Sequence, residues 1–366
     1  MERQETISSK QMAYLFFGFM TGSSIINVPN PLIGLAQNGA WISLMISQII
    51  GFFLLGCVLY LHHKHPGMTF VNYSKKTVGR FVSILFIITF SFVLFIMVSW
   101  IVLDMGAFMI STMMRNTPLY AFNALIMASA AMTVRAGIEV MVRMFVIFVH
   151  LLLFFVFLVL LLSIPNYHPE FLLPIFPEGL LPVLHGSYFV FGFPFAEVIV
   201  FTMLLSFTSK KAGDGLNKKM FLSLFFNGLI LMITTIVTIM VFGPIAGEIK
   251  YSLFGVSRLI DIANFLQRIE SVIGISLIAG SYMKATIALY ALNLMLSQLF
   301  KLKDDRILIF PISISCFLLT LVMFNNESEF IEKVTQVWPL THFSFTVTPV
   351  LIVALVTLIR SKLNKQ

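Results

Sequence analysis

Thr21-Gly22-Ser23-Ser24-Ile25-Ile26-Asn27-Val28-Pro29 interrupts the first apolar run of the chain, between residues 12–20 and 32–36. Glycine, serine, asparagine and proline all weaken or break a helix. Backbone at membrane depth has to be hydrogen-bonded, so a broken helix survives there only when buried in protein or lining a cavity. A second stretch of this kind, Gly186-Ser187-Tyr188-Phe189-Val190-Phe191-Gly192-Phe193-Pro194-Phe195-Ala196-Glu197, opens the later half. Interruptions in corresponding spans of two halves point to a binding site at the midplane of a transporter-like fold.

Composition agrees with a membrane setting. The chain of 366 residues is 58% hydrophobic and 11% charged, with a mean hydropathy of +0.96. Soluble domains carry about a quarter charged residues, so the expectation is an all-α polytopic membrane protein. The first apolar run is too long, and lacks the small-residue site, for a cleaved signal peptide. Cys57 and Cys316 both fall in apolar runs, so no structural disulfide is expected. The net charge of +8 sits in short loops, which speaks for membrane topology and against nucleic acid.

Ten spans can be drawn, at 11–36, 40–62, 81–109, 119–134, 141–163, 184–207, 220–246, 270–299, 307–324 and 338–360, each near the ~20 residues a bilayer requires. With the N-terminus in the cytoplasm, 18 of the 24 Lys and Arg lie on the inner side, so both termini are expected to be cytoplasmic. The loops leave no room for a second domain, so residues 1–366 read as one transmembrane domain. Split near residue 165, it gives five spans and five spans, 11–163 and 184–360, of opposite orientation. Each half opens with its broken helix, numbers 1 and 6, the pattern of an inverted repeat. Outside the membrane, the proline-rich segment 163–183 reads as a rigid lid, and 256–266 as a short amphipathic helix over the outer surface.

The first break offers backbone amides around Gly22–Ser24 for a carboxylate, with Thr21, Gly22, Ser23, Ser24 and Asn27 as its residues. Carbonyls near Phe191 and Gly192 in the second break suit an ammonium group. Together they suit a zwitterionic amino acid, and Tyr188, Phe191, Gly192 and Phe193 are the expected neighbours of its side chain. Walls from spans one, three, six and eight would leave room for an alanine- or valine-sized ligand. The competing reading is that both breaks are packing kinks. Asp104, Glu197 and Lys284 lie inside spans, where each would cost at least ~2.5 kcal/mol facing lipid. They are expected to face the bundle, either as coupling charges that exchange partners or as a static pair. Lys284 could also stand in for a bound cation beside the first break. Arg135, Glu139 and Arg143 recur every four residues and read as a solvated charge ladder. His62, His63 and His65 lack supporting carboxylates, so no metal site is expected. No catalytic or nucleotide-binding motif appears, so neither an enzyme nor a cofactor is indicated.

Five stretches carry a resemblance along the chain: Ile25-Ile26-Asn27-Val28-Pro29, Arg135-Ala-Gly-Ile-Glu139, Pro174-Ile-Phe-Pro-Glu-Gly179, Phe191-Gly-Phe-Pro-Phe-Ala-Glu197 and Arg268-Ile-Glu270. The sequence resembles the B subunits of GerA-type spore germinant receptors, in the amino acid–polyamine–organocation superfamily. Where many transporters of that superfamily have G-x-G in span one, this chain reads Gly22-Ser23-Ser24. The resemblance implies a ten-helix LeuT-like fold in the inner membrane of a spore. It also implies assembly with an A-type membrane subunit and a C-type lipoprotein, and binding of a small germinant such as an amino acid. The alternative is an autonomous proton-coupled amino-acid or amine transporter.

Overall fold

Ser8 starts the first helix: its side chain accepts the Gln11 backbone N–H, and the Gln11 side chain returns a bond to the Ser8 amide. In the computed structural model, which describes residues 5–209, 215–260, 269–324 and 327–363, this helix is α1 (Ser9–Thr21). It stops at Gly22, and the chain resumes as α2 (Ser24–Asn27) and α3 (Pro29–Ala36). Pro29 sits in the first turn of α3, where its missing N–H leaves no helical bond unmade. There follow α4 (Ala40–Lys64), α5 (Phe70–Val78), α6 (Arg80–Thr112), α7 (Leu119–Arg135) and α8 (Ile138–Leu162).

The second broken helix is α9 (Leu181–Gly192), a 3-10 stretch at Phe195–Val200 and α10 (Phe201–Leu204). The rest comprises α11 (Leu216–Phe242), α12 (Ser252–Arg258), α13 (Ile269–Leu299) and α14 (Ile309–Val322). The last helical run is α15 (Glu327–Glu332), α16 (Trp338–His342) and α17 (Thr348–Leu363), joined by π turns. It begins about eleven residues before the expected tenth span.

Eight helical stretches among the described residues are long and apolar enough to cross a membrane, and α7 is a shorter apolar helix. Burial sorts them. The apolar windows of 181–207 and 273–299 are 89% and 78% buried, against 28–44% for the other six. The second broken helix and α13 are thus the most enclosed of the eight, and α1, with ten of its thirteen residues buried, joins them at the centre. No strand is formed among the described residues beyond one isolated bridge, Ile7 to Thr208.

Both ends of the bundle are tied by motifs of the sequence. At the end that holds the N-terminal segment the Glu5 carboxylate accepts the Ile138 amide (2.7 Å), and Glu139 accepts the amide of Thr6 (3.0 Å). Ile7 bridges to the end of the second broken helix, donating to Phe207 O (2.9 Å) and accepting from Ser209 N (2.8 Å). A side chain at Gly137 (φ +89°) would collide with Glu5 at 2.2 Å, which is why Arg135-Ala-Gly-Ile-Glu139 needs its glycine. The expected solvated ladder is thus partly a docking point: Glu139 holds the N-terminal segment, 3.9 Å from Arg143. At the opposite end Gln37 donates to Glu178 (2.7 Å) and Asn38 to the Pro174 carbonyl (3.0 Å), which fixes the proline-rich segment over α3 and α4.

The amphipathic helix α5 was not anticipated; its buried Phe70, Val71, Tyr73 and Thr77 lie on one face. Of the outer helix expected over 256–266, residues 256–258 fall in α12, which ends at Arg258. Residues 261–266, Arg268 of the last family stretch, and Lys210 and Lys211 lie outside the described residues.

Candidate functional site

A cavity of about 310 Å³ lies where the second half of the first broken helix meets α6, the second break and the last helical run. Ser23, Asn27, Asn30 and Pro31 line it from the first helix, and Phe193 and Glu197 from the second. Helix α6 contributes Trp100, Ile101 and Asp104 among others; Trp100 and Asp104 share a face because they are one turn apart. Phe330, Val334 and Trp338 close the far side, and Lys250 and Tyr251 lie on the loop before α12.

Aromatic packing shapes this space. The Trp100 ring lies 4.6 Å from Trp338, 5.5 Å from Phe324 and 5.9 Å from Phe330, centroid to centroid. Such rings give large apolar contact at low entropic cost, and their faces attract cations. Polar groups enter at defined points. Asn27 Nδ2 donates to Asp104, and Asn30 Nδ2 donates to the Gly247 carbonyl (2.8 Å). Ser23 Oγ and Trp100 Nε1 are buried without a hydrogen-bond partner among the described residues. A buried donor left unmade costs about 1–3 kcal/mol. These two groups are therefore available to a ligand or to water in the cavity.

Beneath it lies an ion pair. Lys284 of α13 and Glu197 are bonded with side chains 0% and 1% exposed. The ammonium also lies over the rings of Phe193 (4.2 Å) and Phe19 (5.4 Å), and Trp338 reaches the same carboxylate. Glu197 thus has the cavity on one side and Lys284 on the other.

The residues singled out in the sequence divide. Ser23, Asn27, Asp104, Phe193 and Glu197 come together around the cavity. Lys284 stands one contact behind, paired with Glu197 rather than with Asp104. Thr21 accepts from Asn227 Nδ2 (3.0 Å), and Ser24 Oγ donates to the Met20 and Thr21 carbonyls. Gly22 does not lie open to the cavity. Its N–H is bonded to Gly18 O (2.9 Å), and a Cβ there would stand 2.4 Å from the Gly280 carbonyl. Its smallness serves close approach to α13, which corrects the expected carboxylate cradle at its amide.

The second break also moves, because α9 continues through Gly192 to end at Phe193. Gly192 packs on Pro339, Phe191 on Phe343 (6.3 Å between ring centroids), and the Tyr188 hydroxyl donates to Gln336 O (2.8 Å), all away from the cavity. The last helical run takes the wall expected of span eight. Sequence reasoning missed Trp100 and Trp338. Two of the chain's three tryptophans inside apolar helices were the available signal.

Residues 6–331 match the family described as spore germination protein. Spore germination protein KB of Bacillus subtilis (strain 168) is 27% identical over 340 residues, 91% of this chain and 89% of that protein. Spore germination protein YndE of the same organism is 21% identical over 193 residues, covering 49% and 50%. Among solved structures, MhsT in complex with L-phenylalanine superposes with a TM-score of 0.67 at 14% identity, covering 97% of this chain and all of that one. An Eremococcus coleocola manganese transporter gives 0.65 at 11% identity, covering 94% and 78%. The fold is that of LeuT-type transporters.

Proposed function

The chain belongs to the spore germination protein family, which it matches from residue 6 to residue 331, and on that premise we propose that it is the nutrient-sensing subunit of a spore germinant receptor. Its ligand is a small germinant, an amino acid, bound in the cavity between the two broken helices. The observation that carries this reading is the meeting of Ser23 and Asn27 with Phe193 and Glu197 around one cavity. At about 310 Å³ the space is at the lower end of the ~300–1,000 Å³ typical of ligand pockets. Its mostly aromatic and aliphatic walls favour an apolar side chain larger than valine.

In this reading the chain crosses the spore inner membrane ten times, as two inverted sets of five, with both termini cytoplasmic. It acts with an A-type membrane subunit and a C-type lipoprotein, and it signals because the ligand binds one conformation more tightly than the other. The test is a thermal-shift panel of amino acids, nucleosides and sugars on the detergent-solubilised full chain. A ligand at 100 times its Kd adds about 2.7 kcal/mol, enough to raise Tm visibly. An unmoved Tm across the panel sinks the amino-acid reading.

The transporter fold of the solved neighbours favours a second reading, proton-coupled transport of an amino acid or amine. The chain alone in liposomes separates the two: uptake driven by a pH step supports transport, and binding without flux supports the receptor.

A further inference from the structure

Away from the cavity, α6, α13 and α14 enclose an apolar groove on the membrane-facing side, about 380 Å³ in volume. Phe92 and Phe95 form one wall, Leu292 and Leu296 the floor, and Pro311 and Ser315 the other wall. Leu296 is three residues from the inner end of α13, and Pro311 two residues from that of α14. Phe92 is twelve residues along α6 from Arg80, a rise of about 18 Å. That depth is close to one leaflet of a hydrocarbon core about 30 Å thick. Phe81, Leu85, Ile88 and Phe92, each more than half exposed, run along α6 from the basic end towards the groove.

The inner rim is basic. Arg80 opens α6, Lys301 lies two residues past the end of α13, and Lys75 is on α5, which packs against α6. Burial, and after it the fields of Lys301 and Arg80, lower the Lys75 ammonium from its ordinary value. On the α14 side Arg135 lies over the Phe310 ring at 5.4 Å, next to Pro311. The carboxylates nearby are Asp304 and Asp305. Asp304 accepts the Arg306 amide (2.9 Å), and neither is ion-paired with Lys75, Arg80 or Lys301 among the described residues.

We propose that the groove and its rim bind one anionic phospholipid, with an acyl chain along Phe92, Leu296 and Pro311 and the phosphate at Lys75, Arg80 and Lys301. The occupant is decided by charge complementarity. A zwitterionic lipid or an apolar partner helix fills the groove but leaves three cations uncompensated. A phosphate at the head of an acyl chain compensates them and covers the apolar wall. Juxtamembrane basic residues each add about 1 kcal/mol of attraction to anionic lipid.

Native mass spectrometry of the full chain, titrated with dioleoyl phosphatidylglycerol or dioleoyl phosphatidylcholine, tests this. The wild type retains the anionic lipid on the order of 100-fold more strongly, and the preference falls as salt rises. The triple variant Lys75→Gln, Arg80→Gln, Lys301→Asn loses the preference but keeps weak binding of both lipids. Ser315→Trp, which fills the groove from an exposed position, loses both adducts with the basic rim intact. Size exclusion and detergent Tm check that each variant is folded, and the wild-type salt titration stands even if a variant is not. Equal retention of the two lipids by the wild type, a preference that salt does not touch, or an undiminished preference in the folded triple variant overturns the proposal.

Discussion

At the first break Gly22 stands where a Cβ would lie 2.4 Å from the Gly280 carbonyl; at the second, Gly192 stands where one would lie 2.4 Å from Pro339 Cα. In both, the glycine lets a neighbouring helix press against the interruption, and side chains one to five residues on reach the cavity. The contents then diverge. The first break presents neutral groups, Ser23 and Asn27, with Asn27 bonded to Asp104 across the cavity. The second presents a carboxylate, Glu197, neutralised from behind by Lys284. A break in a membrane helix has to be closed by packing before it can offer polar groups, and which groups it offers is a separate choice. Charge was placed at the break whose residues 192–197 are all buried, where it needs a partner of its own.

The largest effect should come from unbalancing that charge. Lys284→Ala leaves Glu197 in an aromatic pocket without its cation, and breaking such a buried pair costs about 3–5 kcal/mol. The expected result is a large fall in detergent Tm and in membrane abundance. Lys284→Arg rescues poorly, because a planar guanidinium does not replace a compact ammonium between two ring faces. The double variant Lys284→Met, Glu197→Gln removes both charges and should return Tm to near wild type. Germinant response then separates the roles. A static pair gives a double variant that folds and responds; a pair that exchanges partners, or an ammonium standing for a bound cation, gives one that folds and is silent.

Next comes the packing half of the comparison. Gly22→Val places branched carbons against the Gly280 carbonyl, which cannot move without shifting α13. Overpacking of this kind costs about 1–3 kcal/mol or more. Less folded protein in the membrane is therefore expected, rather than normal amounts of an unresponsive one. Normal Tm and abundance with lost response would instead return Gly22 to the ligand.

The sequence carried the breaks well and their surroundings poorly, for a physical reason. Glycine and proline act on their own backbone, so 21–29 and 186–197 could be read locally. What each glycine faces depends on α13 and α16, more than a hundred residues away, so Gly22 looked like a cradle and Gly192 like a pocket wall. The ion pair was half legible. An intramembrane lysine announces that it needs a carboxylate, but Asp104 and Glu197 were equal candidates until the fold put α13 behind the second break. Trp100 and Trp338 were hidden among 39 Phe and 9 Tyr, since apolar walls and lipid-facing surfaces share one composition.

The smallest effect is the sharpest, because it sets two adjacent serines against each other. Ser24 Oγ bonds the Met20 and Thr21 carbonyls, which α1 leaves open where it stops, so its role is completed within the break. Ser23 Oγ is buried, has no partner among the described residues and lines the cavity. Ser24→Ala should therefore lower stability by about 1 kcal/mol and leave ligand affinity alone. Ser23→Ala removes a group that nothing in the protein satisfies, so its stability should be unchanged or slightly higher. Its cost should appear only when ligand is present, as a loss of about 0.5–1.5 kcal/mol in binding, a few-fold to tenfold in apparent affinity. Thermal unfolding of both variants, with and without the best ligand of the panel, measures the two quantities at once. If Ser23→Ala destabilises the empty protein and Ser24→Ala weakens the ligand, the assignment of packing and binding within the first break is reversed.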